Sequence, residues 1–195
     1  AGDRVTVLVL TGGERGPSPE GPAASRRQEQ EEAARILGAG LLWGGLTDCT
    51  VQPDAVTIGV VEAAIARTRA DTVYVHAPDD SHQDHRAASA ATLSAARRLS
   101  RVLHYQSPST LSFAPSVFVD VTAYLSGKLA ALKAHASQVA GSAMVEPDAV
   151  VAAARYWGAQ ARVGYAEAFA PTRVVIDLVP APRGSSGLVA VADAL

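Results

Sequence analysis

Two short runs limit the fold most: VTVLVL at 5–10 and TVYVHA at 72–77. Both are apolar and β-branched, without the polar alternation of a strand that shows one face to water. They therefore read as strands covered on both sides, the pattern of a parallel sheet between helices. The segments between them read as helices. RRQEQEEAARIL ends at Gly38, a natural C-terminal stop, and Ser25 with Gln28 three residues later has the form of a capping box. TIGVVEAAIARTR at 57–69 has its apolar positions at helical spacing. Beyond residue 85 the pattern continues: a helix at about 86–101, a strand at 102–106, an edge strand in VFVDV, and a helix from about 122 to 138. Glu146-Pro147-Asp148 then opens a further helix, since proline fits a first turn. Strands alternating with helices predict an α/β fold, a mainly parallel sheet with helices on both faces. Residues 1–179 read as one domain. Residues 180–195, beginning PAPRGSSG, read as a tail.

Composition narrows the partners. The net charge is −2 and no Lys/Arg stripe interleaved with aromatics occurs, which argues against nucleic acid. No apolar run approaches the roughly 18–20 residues that span a bilayer, so no membrane partner is expected and a cytoplasmic location is the default. Cys49 is the only cysteine, which excludes an intrachain disulfide.

In a doubly wound sheet, ligands bind outside the carboxyl ends of the strands. The loops 11–25 and 76–85 follow the two most apolar strands, and the second reads HAPDDSHQDH. His82, Asp84 and His85 form an H-x-D-H unit at a helix start. Neutral imidazole is the commonest ligand for zinc-like metals, and an adjacent aspartate can ligate or orient a histidine. Catalytic zinc takes three protein ligands and a water, so distant residues would have to complete the shell. The competing reading is a polar loop whose Asp and Ser accept backbone hydrogen bonds at a helix N-terminus. His76, ending a buried strand, reads as a structural histidine. No G-x-S-x-G elbow or P-loop is present, and TGGERG lacks the helix that a dinucleotide site needs directly after it.

Six segments in order resemble one family, the PIG-L/LmbE-like metal-dependent deacetylases. They are VTVLVLTGGERG, SRRQEQEEAARILG, GLTDCTV, PDDSHQDHRAA, SFAPSVFVDVTAYLSGKLAALKAHASQV and GYAEAF. The resemblance covers essentially residues 5–169 and implies a Rossmann-like sheet and hydrolysis of N-acetyl groups on amino sugars or related amides. A metal-activated water would attack the acetyl carbonyl. His85 would be a ligand of Zn2+ or another divalent metal. His82, when protonated, would steady the oxyanion, and Asp84 would orient a histidine. Arg26 and Asp48 would contact substrate hydroxyl or phosphate groups, and Glu14 would help shape the site.

One expected block has no counterpart here. The family's A-H-P-D-D-E motif follows its first strand and supplies two ligands and the general base. HAPDD at 76–80 belongs to the second block instead. The resemblance thus implies an incomplete ligand set and a missing first βα unit of roughly 30–40 residues. Loss of a central strand would leave two unpaired edges unless an upstream or other segment fills the gap. The alternative function is a catalytically inactive relative that binds a ligand or a protein through the same pocket. A small-molecule substrate is the expected partner, and homo-oligomerisation is left open.

Overall fold

A computed structural model describes residues 3–15, 23–139, 145–176 and 187–192. The chain runs β1 (Arg4–Thr11), α1 (Ala23–Leu37), β2 (Gly40–Leu46), α2 (Ala55–Thr68), β3 (Ala70–His76), α3 (Gln83–Ala95) and β4 (Arg101–Tyr105). Then come β5 (Val117–Asp120), α4 (Leu125–Ala134), α5 (Ala136–Val139), α6 (Pro147–Ala161), β6 (Ala166–Val174) and β7 (Gly187–Ala192). The strands form one seven-stranded sheet in the order β2-β1-β7-β3-β4-β6-β5. β2, β1, β7, β3 and β4 are parallel, and β6 runs antiparallel to both β4 and β5. This is the mainly parallel α/β sheet that the sequence predicts, with VFVDV at an edge as read.

The alternation of side chains along the strands makes two apolar layers. Leu8, Leu10, Val73, Val75, Val102, Val189 and Val191 join Val61 and Ala64 of α2 and Ala87 and Ala88 of α3 in one buried cluster. Residues of opposite parity turn to the other face, where Tyr74 packs on Phe169 with ring centroids 4.9 Å apart. On that side α4 packs against both α1 and α6.

The tail expected at 180–195 needs correction. GLVAVA from that stretch is β7, and it lies at the centre of the sheet, bonded to β1 and β3. It fills the slot where the sequence reading left two unpaired edges, so the parallel ladder is continuous. The run is six residues long, mixes alanine with valine and follows a Pro/Gly/Ser stretch. Local pattern gives it little weight, and only pairing on both sides buries Val189 and Val191 completely. The rest of the expected tail, 180–186 and 193–195, lies outside the described residues.

Helix ends show smaller departures. Gly38 sits at φ 65° as a C-terminal stop, as expected. Ser25 lies inside α1, which begins at Ala23, so it is not the cap. α3 begins at Gln83, three residues before the expected start, because the His82 side chain itself caps it. The helix read across 122–138 divides into α4 and α5 around His135. Among the described residues no helix is long and apolar enough to cross a membrane.

Candidate active site

The carboxyl ends of the parallel strands carry four polar loops that converge. The loop after β3 is tied to the loop after β4 by backbone bonds, Ser81 N to Ser109 O at 3.0 Å and Leu111 N to Asp79 O at 2.9 Å. Between them sits Asp80, only 1% exposed. Its Oδ1 accepts from His82 N at 2.8 Å and from Ser109 Oγ at 2.6 Å. Its Oδ2 accepts from the Ser107 and Thr110 hydroxyls and lies 3.2 Å from His85 Nδ1. Burial pushes the Asp80 carboxyl up, but the Ser107 and Ser109 hydroxyls, the His82 N–H and His85 outweigh it and hold the carboxyl far below the usual range. Asp80 is therefore an anion at neutral pH.

Asp84 is fully buried at the start of α3. Its carboxylate accepts from Cys49 N at 2.7 Å and Val51 N at 3.3 Å, which bolts the β2–α2 loop to α3. Cys49 takes up a left-handed backbone, φ 60°, in making that contact. Asp48 Oδ2 accepts from Arg15 N at 2.8 Å, and Asp48 N donates to Glu14 Oε1 at 2.9 Å, a reciprocal link between the loops after β1 and β2. Glu14, Asp48 and Asp84 thus join one loop cluster beside the histidines. Asp84 meets His82 through its backbone N–H, and the carboxylate that meets His85 is that of Asp80.

Hydrogen bonding sets the tautomers of the imidazoles. His82 Nδ1 accepts from Asp84 N at 3.3 Å, which leaves the ring proton on Nε2 as a donor. His85 Nδ1 faces the Asp80 carboxylate and so carries the proton, leaving a lone pair on Nε2. Burial lowers the His85 pKa against the opposing pull of Asp80, and the ring is neutral at neutral pH. The His82 and His85 rings have centroids 4.6 Å apart.

His76 stacks on His85 with centroids 3.9 Å apart. The Tyr105 hydroxyl donates to Val191 O of β7 at 2.9 Å and accepts from the His76 ring, whose nitrogens lie 3.2 and 3.3 Å away. Burial, and next the neighbouring His85, hold the His76 pKa well below that of an ordinary imidazole. The structural role read for His76 is what these contacts describe, with a position under His85 that the sequence did not reveal. His104 is buried differently: Nδ1 donates to His76 O at 2.9 Å and Nε2 accepts from Thr172 Oγ1 at 2.7 Å.

Arg26 is held from the side of α5. It is 8% exposed on α1, and its Nη2 donates to Gln138 Oε1 at 2.7 Å. Its Nε is buried with no hydrogen-bond partner among the described residues. Glu29, one turn on, accepts from Ser137 N and Oγ at 2.8 and 2.7 Å, which fastens α1 to α5. Hydrogen bonds link Glu14, Asp48, Asp84 and His82 through the loops, whereas the bond described for Arg26 runs to α5. Sequence reasoning missed Asp80, Ser107, Ser109 and Tyr105. The available signal was the hydroxyl-rich SPST segment directly after the fourth strand, at the same end of the sheet as HAPDDSHQDH.

Two groups could bear on a metal ion. His85 presents Nε2 with its other nitrogen fixed by a carboxylate, the arrangement of a ligating histidine. Asp48, Cys49 and Asp84 bring one ligand atom each within 4.8 Å of the others. In that trio the carboxylates accept backbone N–H groups, and burial, followed by Asp48, pushes the Cys49 thiol up, away from the thiolate a metal needs. The described residues thus fit an ion at one oriented imidazole and fall short of the three converging ligands of a catalytic zinc centre.

Comparisons with known proteins bear on the family and the fold. Residues 1–96 match the PIG-L family, described as GlcNAc-PI de-N-acetylase. A 67-residue stretch is 48% identical to the uncharacterized deacetylase YaiS of Escherichia coli K12, covering 33% of this chain and 36% of that protein. The chain thus spans about a third of the length of that curated relative. The crystal structure of the conserved protein TT1542 from Thermus thermophilus superposes with a TM-score of 0.79 at 30% identity, over 93% of this chain and 86% of that one. The N,N'-diacetylchitobiose deacetylase of Pyrococcus horikoshii shares the fold at 23% identity, with a TM-score of 0.73 over 87% of this chain and 73% of that one. Sequence segments, sheet topology and the Thermus structure agree: the chain belongs to the PIG-L family.

Proposed function

We propose that the chain acts in hydrolytic de-N-acetylation, cleaving an acetyl group from an amino sugar or related amide. One observation carries the reading: adjacent imidazoles are fixed in opposite tautomers at the carboxyl end of the sheet. His82 offers an Nε2 proton, and His85 offers an Nε2 lone pair. A donor beside a ligand position is what attack on an acyl carbon needs, since negative charge gathers on the carbonyl oxygen. The family match and the deacetylases among its relatives support the same reaction class.

In this reading His85 would hold Zn2+ or another divalent ion together with further ligands, and the bound ion would supply Lewis-acid activation of water. The chain's own residues set the orientation of the two imidazoles. Asp80 keeps the His85 proton on Nδ1. His82 Nε2–H donates to the developing oxyanion while Asp84 N occupies Nδ1. Glu14 and Asp48 line the approach from the first two loops, which their hydrogen bonds hold together.

The test measures amine release from N-acetylglucosamine compounds by the full chain with added Zn2+, alongside His82→Ala. The expected result is turnover that falls by about 10²–10³-fold in the variant. No amine release under any divalent metal, or an unchanged rate in His82→Ala, would overturn it. The single oriented ligand favours a second reading, a pocket that binds without turnover. Stoichiometric substrate binding with no amine release would select that one.

A further inference from the structure

A cleft of about 460 Å³ opens between β6, α4, α6 and the loop after β4. Its size falls in the range of small-molecule sites, roughly 300–1,000 Å³. The walls are apolar over most of their extent: Leu132, Val145, Val150, Trp157 and Phe169, with Ala149, Ala153 and Ala154 along α6. Helix packing explains why space remains. At Gly158 the end of α6 lies so close to the next turn that a Cβ would stand 2.6 Å from Gly164 O, so that end is pinned to the start of β6. Nearer its N-terminus the helix turns only methyl groups and Val150 toward the opposite wall, which cannot fill the gap. The cleft is partly open to solvent, so a ligand group can enter it.

The cleft adjoins the imidazole cluster directly. Tyr105, whose hydroxyl bonds His76, and Ser107, whose Oγ lies 3.5 Å from His85 Nδ1, belong to both. The charged pair on its wall is internally balanced: Lys128 Nζ and Glu167 Oε1 are 2.6 Å apart. A compensated pair gives no net attraction to a charged ligand, and the apolar surface around it favours an uncharged one.

We propose that this cleft is a specificity subsite for an apolar alkyl or aryl group attached to the amide substrate, so that compounds with a medium-length chain bind better than simple acetyl compounds. The identification of the ligand as an amide rests on the deacetylase reading; the cleft does not. Each methylene taken from water into such a wall raises affinity roughly fourfold. An octanoyl chain, even half buried, should then gain on the order of a hundredfold over acetyl.

The test is calorimetric titration of the full chain with N-octanoylglucosamine and N-acetylglucosamine, with amine release measured on the same pair. Ala153→Phe and Val150→Phe, each checked for folding by circular dichroism, fill the cleft from two positions. The expected result is much tighter binding of the octanoyl compound by the wild type, and an octanoyl-to-acetyl ratio that collapses toward one in the variants. Equal affinities in the wild type would overturn the proposal, as would a ratio that survives in either folded variant. Chain-dependent binding without amine release would leave the subsite standing and reject the deacetylase reading. Amine release without a chain preference would do the reverse.

Discussion

Replacing Asp80 by asparagine should move a proton on a neighbouring ring. The carboxylate accepts from five donors: His82 N, the hydroxyls of Ser107, Ser109 and Thr110, and His85 Nδ1. Asparagine keeps the volume but offers one acceptor oxygen and an NH2 that must itself donate. The hydroxyls can rotate to accept, whereas His82 N–H cannot, so the asparagine oxygen stays on Oδ1's side. The NH2 then faces His85 Nδ1, which turns acceptor, and the ring proton shifts to Nε2. That removes the lone pair a metal would use, and loss of such an orienting partner typically costs roughly 10–100-fold in metal affinity. Stability should fall by about 2 kcal/mol, as charged hydrogen bonds become neutral ones. Asp80→Ala should cost more than Asp80→Asn, since each buried donor left unpaired carries about 1–3 kcal/mol. Long-range nitrogen–proton NMR of the imidazoles reports the tautomer directly, and urea denaturation gives the stability. If His85 keeps its proton on Nδ1 in Asp80→Asn and zinc affinity is unchanged, the orienting role assigned to Asp80 is wrong.

Two further outcomes follow from the fold and the buried imidazoles. Val191→Ala should cost about 2 kcal/mol by urea denaturation, since the side chain is fully buried in the central strand; a change within about 0.5 kcal/mol would mean that this segment is a surface tail after all. Stability should also fall on acidification. His76, His85 and His135 all have pKa values lowered first by burial, so the folded state keeps them neutral while the unfolded chain protonates near about 6.5. Protein melted across a pH series should hold its Tm above about pH 7 and lose it progressively below about 6.5, with Asp80 adding to the loss only in stronger acid. A Tm that rises as pH drops from about 7 to about 5.5 would contradict this sign.

The sequence by itself determined the parts that local pattern encodes. Unbroken β-branched runs at 5–10 and 72–77 specified buried parallel strands, because nothing in them could face water. HAPDDSHQDH, at the end of such a strand, marked the side of the sheet where a candidate site was expected, since strand ends of one sense all open on the same side. Six ordered segments carried the resemblance to the family. Tertiary structure decided what depends on partners far apart in the chain. GLVAVA looked like tail until pairing with β1 and β3 made it the centre of the sheet. Asp80 had no role assigned from sequence; the SPST loop closes over it with Ser107, 27 residues on. His82 and His85 differ in tautomer only because one nitrogen meets a backbone N–H and the other meets that buried carboxylate. Such choices turn on hydrogen bonds between segments that no local window contains. The same short motif could therefore be read from sequence as a ligand site or a helix cap until the fold assigned each nitrogen its neighbour.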